Sequence, residues 1–169
     1  MLWLVLRFWK PVSAWLKKMS LGQQVVASFL SSLALILFSL IPFLRLKITN
    51  WQLPQAWAAY AKDAVSLSVT FTSAGMLFGL LAGLAWFNRQ GGFDAGGSLR
   101  KRILRYLMGM AGVLIFYIGL KVLFGLIVPY SDAALPYILR YIRYALVGAW
   151  ISAGAPWVFV KLKLAGKAD

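Results

Sequence analysis

Long uncharged stretches dominate the chain and are separated by short basic clusters. Residues 19–44 lie uncharged between Lys18 and Arg45, and residues 64–88 between Asp63 and Arg89. About 20 mostly apolar residues suffice to cross a bilayer core of roughly 30 Å. The two stretches therefore predict transmembrane helices at about 25–44 and 64–88, with Pro42 near the exit of the first. A third span is predicted over about 103–128, interrupted by Lys121, and a fourth over about 137–162, entered through Arg140 and Arg143. Residues 1–20 differ. Leu2, Val5, Leu6, Trp9, Val12, Trp15 and Leu16 recur at helical spacing with Arg7, Lys10, Lys17 and Lys18 between them, and Pro11 is predicted to bend the segment. This pattern suits an interfacial amphipathic helix, or the end of a shortened span, better than a cleaved leader.

Composition strengthens the membrane reading. Hydrophobic residues make up 62% of the chain and charged ones 13%, where soluble domains carry about 25% charged residues. The expected fold is an all-α integral membrane protein: a bundle of about four transmembrane helices over 21–169, preceded by the interfacial helix. Eighteen Lys and Arg face four acids. Among the short loops, 89–105 holds five basic residues (Arg89, Arg100, Lys101, Arg102 and Arg105) and 129–136 none, so the positive-inside rule places both termini and the 89–102 loop in the cytoplasm. Arg45, Lys47 and Lys62 in the first outer loop run against that pattern. Such a charge excess attracts anionic lipid headgroups. It does not suit nucleic acid, because no basic and aromatic surface lies outside the spans.

Span 2 carries Gly75, Gly79 and Gly83 four apart, a stripe that lets another helix backbone approach closely. An internal contact is the first expectation, with Gly109, Gly112 and Gly119 of span 3, or Gly148 and Gly154 of span 4, as facing surfaces. A seam with a second copy is the alternative. Trp3, Trp9, Trp15, Trp51, Trp57 and Trp86 fall at predicted interfaces, where aromatic belts form. The loop from Gly91 to Gly97 has four Gly in seven residues, but lacks the Gly-Lys-Ser/Thr ending and preceding strand of a nucleotide loop. A flexible turn with Ser98 as helix N-cap fits better.

Ionisable groups within spans need partners. Lys121 lies 16 residues beyond Arg105, about 24 Å along a helix, near the outer interface with Arg140 and Arg143. Tyr137, Tyr141 and Tyr144 interleave with the two Arg, and Asp132 is the nearby acid. Lys121, Arg140 and Arg143 are thus candidates for binding a lipid phosphate, against the simpler reading that they snorkel to the headgroups. The sequence contains no His, Cys or Glu, which removes a His base, a thiol nucleophile and the usual zinc ligands. No catalytic residue, cofactor or metal is expected.

The run from Gly91 to Gly109 (Gly-Gly-Phe-Asp-Ala-Gly-Gly-Ser-Leu-Arg-Lys-Arg-Ile-Leu-Arg-Tyr-Leu-Met-Gly) resembles a stretch of bacterial membrane phosphatases. So does the run from Arg140 to Phe159, which begins Arg-Tyr-Ile-Arg-Tyr-Ala-Leu-Val-Gly-Ala-Trp. Both are similar to the extra C-terminal membrane region of members of the type 2 phosphatidic acid phosphatase family, lipid phosphatases related to haloperoxidases. The segment from Trp15 to Gln24 resembles the part that follows their last catalytic helix. The family's His-dependent signatures, including its Pro-Ser-Gly-His, have no counterpart here. The resemblance therefore implies a non-catalytic accessory half of such an enzyme in the bacterial cytoplasmic membrane, serving as a scaffold or split-enzyme part. Two alternatives stand beside it: a membrane subunit docked to a partner protein or a second copy, and a phospholipid or polyprenyl-phosphate carrier. Membrane lipids, anionic ones first, are the expected partners.

Overall fold

The computed structural model describes residues 3, 7, 12–16, 18–52, 54–57, 66–127 and 134–166. Residues 12–16 are helical, and the expectations for Leu2, Val5, Leu6, Trp9 and Pro11 lie outside the described residues. The segment is tied to the bundle at its exit: the Gln24 side-chain amide donates to the Leu16 carbonyl at 2.7 Å, and the Arg89 guanidinium donates to the Met19 carbonyl at 2.6 Å.

Helix α1 (Leu21–Ile48) begins with a capping box. The Ser20 hydroxyl accepts the Gln23 N–H at 3.3 Å, and Gln23 Oε1 accepts the Ser20 N–H at 2.7 Å, satisfying two backbone donors that the helix leaves open. Pro42 sits inside α1 and leaves the Phe38 carbonyl without its usual donor. Helix α2 (Leu67–Asn88) is capped by Ser66, whose hydroxyl accepts the Ser68 N–H at 3.1 Å, and it closes through Gly91 at φ 97°. Helix α3 spans Leu99–Ile127 and helix α4 Leu135–Ala149. A π-helical turn, Trp150–Gly154, joins α4 to helix α5 (Ala155–Lys161). Pro156 explains that turn: it has no N–H to offer, and its ring would press on the Ser152 carbonyl at α pitch. The Ala155 N–H instead bonds the Trp150 carbonyl five residues back.

Helices α1, α2 and α3 are long and apolar enough to cross a membrane. Residues 135–161 form a fourth helical stretch whose pitch changes at the π turn. The chain is an all-α membrane protein. Among the described residues the one β-type pairing is an isolated bridge between Asp94 and Gly166.

The helices pack in the order α1, α2, α4, α3, with α2 against both α1 and α4, and α3 against α4, the π turn and α5. The interior is rich in small residues: Ser28, Ser32, Ala74, Gly75, Gly79, Gly83, Gly148, Ala153 and Ala155 are buried, beside the larger Phe87, Val147 and Phe159. Most large side chains point outward, Phe38 being 76% exposed, Ile115 70% and Leu126 80%. Lipid solvates Leu and Phe as well as a protein core does, so close backbone packing, not burial of bulk, holds the helices together.

Gly75, Gly79 and Gly83 face α4 and the π turn. A Cβ at Gly75 would strike the Tyr141 backbone, one at Gly79 the Ala145 carbonyl, and one at Gly83 the Ser152 hydroxyl. Gly148 returns the fit from α4, since a Cβ there would lie 2.7 Å from the Met76 carbonyl oxygen and 2.9 Å from the Leu80 nitrogen. The expected alternative surface on span 3 is not what meets the stripe. Gly109 and Gly112 make room for Phe159 and Trp150, and Gly119 faces open space.

Overfilling a packed site typically costs about 1–3 kcal/mol, whereas Gly→Ala at an open helical position gains about 0.5–1 kcal/mol. Gly79→Ala should therefore lower the unfolding temperature in detergent while Gly119→Ala leaves it unchanged or raises it. Equal effects at the two positions would show that the stripe does not carry the α2–α4 contact.

Candidate functional site

Three tyrosines divide the work along α4. Tyr137 packs on Phe71 with ring centroids 5.3 Å apart. The Tyr141 hydroxyl shares a 2.7 Å hydrogen bond with Ser32 of α1, and its ring stacks on Phe78, which in turn meets Phe29 edge-on. Tyr144 meets Tyr117 of α3 edge-on at 6.0 Å. Each tyrosine thus reaches a different neighbouring helix or face.

Arg143 lies between the last pair. Its guanidinium carbon is 5.2 Å from the centre of the Tyr117 ring and 5.1 Å from that of Tyr144, a cation–π arrangement on two faces. The Arg143 Nε is buried and has no hydrogen-bond partner among the described residues. Arg140, half-buried, is one turn before it on α4. Lys121, exposed, is four residues past Tyr117 and so on the same face of α3. The structure brings Arg143 to α3 through the tyrosine pair and sets Arg140 and Lys121 one turn away on the two adjoining helices. Asp132 falls outside the described residues. Asp94, the one acid among them, is far away, because Tyr117 lies 18 residues beyond the start of α3, about 27 Å. A planar guanidinium with an unused N–H, flanked by two further cations, is suited to an oxyanion such as phosphate. It supplies no nucleophile.

The opposite end of α3 holds a buried cation that the sequence did not single out. Arg105 is 7% exposed, and its guanidinium donates to the Asp94 carbonyl at 3.4 Å, the Ala95 carbonyl at 2.7 Å and the Gly96 carbonyl at 2.9 Å. The Asp94 carboxylate accepts the Gly96 N–H at 2.8 Å, and the Asp94 N–H donates to the Gly166 carbonyl at 3.0 Å. The glycine-rich loop is therefore fastened to α3 on one side and to the chain after α5 on the other. Its carbonyls converge on a cation, the reverse of a phosphate cradle, in which N–H groups converge on an anion. Ser98 occupies the N-cap position, its carbonyl accepting the Arg102 N–H at 3.1 Å. The signal in the sequence was the last charge of a basic cluster, at the edge of an apolar run, which says that a partner is needed without naming it.

Trp150 is a second residue that the interface-belt reading passed over. Its indole N–H donates to the Gly109 carbonyl at 3.2 Å, its ring fills the space at Gly112, and Phe116 packs 5.5 Å away. Ser152, in the same π turn, donates to the Gly148 carbonyl at 3.0 Å and to the Gly79 carbonyl at 3.3 Å. One irregular turn thus bonds both α2 and α3.

Arg105→Leu removes a charged donor from three carbonyls, and hydrogen bonds to charged groups contribute about 1.5–3 kcal/mol. The variant should unfold at lower temperature in detergent and be cut faster by trypsin in the 91–102 region. Unchanged stability together with unchanged cleavage would show that the clamp holds nothing.

Residues 71–167, more than half of the chain, match a family model described as the PAP2 superfamily phosphatase, transmembrane extension. Comparison with curated proteins and with solved structures found no match. The matched region begins within α2 and takes in the glycine stripe from Gly75, the clamped loop, α3, α4 and the π turn, so the features that organise the bundle lie within it. The chain belongs to the PAP2 superfamily phosphatase transmembrane-extension family.

Proposed function

We propose that this chain is the non-catalytic accessory membrane part of a lipid phosphatase, acting as a scaffold or as one part of a split enzyme. The observation that carries the proposal is the family match to a transmembrane extension in a sequence without a single His, the residue on which the resembling phosphatases depend. The interior chemistry supports it. Ser32, Tyr141, Ser152, Trp150 and Arg105 spend their polar groups on joining helices and loop to one another. The proposed setting is the bacterial cytoplasmic membrane with both termini in the cytoplasm, supported by the basic 89–105 loop and the positive-inside rule.

The purified chain in detergent, assayed for phosphate release from phosphatidic acid and undecaprenyl pyrophosphate beside an intact family phosphatase, should release none above buffer. Turnover that persists through purification would overturn the proposal.

A second reading rests on the unpartnered Arg143 Nε: Lys121, Arg140 and Arg143 together hold a lipid phosphate. In that case Arg140→Ala with Arg143→Ala should remove a co-purifying anionic phospholipid while circular dichroism and elution volume stay as in the parent. Retention of that lipid by the folded double variant would reduce the cluster to snorkelling anchors.

A further inference from the structure

A groove of about 560 Å³ runs along α3 where it meets the π turn and α5, at the end of the bundle opposite Arg143. Its walls are almost wholly apolar: Gly109, Met110 and Val113 on one side, Trp150 and Phe159 on the other, with Arg102 at the mouth. From Arg102 to Val113 the α3 wall rises about 16 Å, close to the roughly 15 Å depth of one leaflet of a 30 Å hydrocarbon core. The apolar wall is as deep as one leaflet.

The mouth carries a charge problem. Arg100, Lys101 and Arg102 occupy the first turn of α3, which has no acidic residue of its own, and Asp94 of the preceding loop shares a hollow with Lys101, not with Arg102. A helix N-terminus already bears partial positive charge, so cations placed there repel it. Arg105 is committed to the loop carbonyls, while the Arg102 side chain makes no hydrogen bond or ion pair with the described residues. A countercharge from outside the chain answers Arg102.

We infer that this groove seats one acyl chain of an anionic phospholipid, with the headgroup phosphate against Arg102. The chain fills a one-leaflet apolar slot, and the phosphate supplies the negative charge that Arg102 lacks. The site is separate from the Arg143 cluster and stands whether or not the chain serves a phosphatase.

The test is photolabelling of the purified full chain in detergent by phosphatidylglycerol carrying a diazirine on its acyl chain, with the matching phosphatidylcholine as comparison. Labelling should concentrate on peptides containing 103–113 and 150–159, and the anionic lipid should label about five-fold better, as expected for one cation at a membrane surface. Arg102→Gln should bring the two lipids close to parity while chain labelling persists. Met110→Trp, or Val113→Trp if the first does not fold, should fill the slot and suppress labelling by both lipids. Equal labelling by the two lipids in the parent chain would overturn the inference. So would labelling that a folded groove-filling variant leaves unchanged, or capture of polypeptide in place of lipid by a photocrosslinker at position 110.

Discussion

The backbone contact between α2 and α4 is the constraint on which the rest of this bundle depends. In lipid no hydrophobic gain rewards the meeting of two Leu-covered helices, so affinity must come from proximity. Gly75, Gly79 and Gly83 on α2 and Gly148 on α4 remove the side chains that would hold the axes apart. Once the axes are that close, the hydroxyl of Ser152 reaches the Gly79 carbonyl, and Tyr141 reaches past α2 to Ser32 of α1. The polar contacts follow from the small-residue contact and secure its register.

The π turn extends the same logic to α3. Pro156 prevents a regular α pitch, and the extra residue in the turn accompanies Trp150 meeting the Gly109 carbonyl and the gap at Gly112. A defect in one helix thereby becomes the joint for another. At the end of the bundle where α3 begins, Arg105 does for the loop what Trp150 does for the helix, pinning backbone carbonyls from a neighbouring element. The two ends of α3 consequently differ in chemistry. One has a buried cation saturated by carbonyls below an exposed basic turn, and the other an Arg held between aromatic rings with a donor unused.

Much of this was legible in the chain. Uncharged stretches and the Pro, Gly and Ser punctuation mark helices because bilayer thickness and backbone hydrogen bonding leave few other choices. The Gly75, Gly79 and Gly83 stripe was visible at its four-residue spacing, and its small residues announced a close approach. Its partner was not visible, since glycines in span 3 and span 4 were equally suitable by spacing. The choice of α4 depends on Tyr141, Ala145 and Ser152 arriving opposite the stripe. Lys121, Arg140 and Arg143 were recognisable as charges near span ends, yet only the packing of Tyr117 against Tyr144 drew Arg143 alone to α3.

The sequence by itself determined the membrane class, the family likeness and the absence of His chemistry, because each follows from residue type and local order. Tertiary structure decided the helix order, with α4 inserted between α2 and α3. It decided that Arg105 serves the loop, that Trp150 serves α3, and that an apolar groove opens beside the basic first turn of α3. Those outcomes turn on which backbones come within hydrogen-bond distance of one another. Spacing along a single helix fixes a face, but it carries no information about what that face will meet.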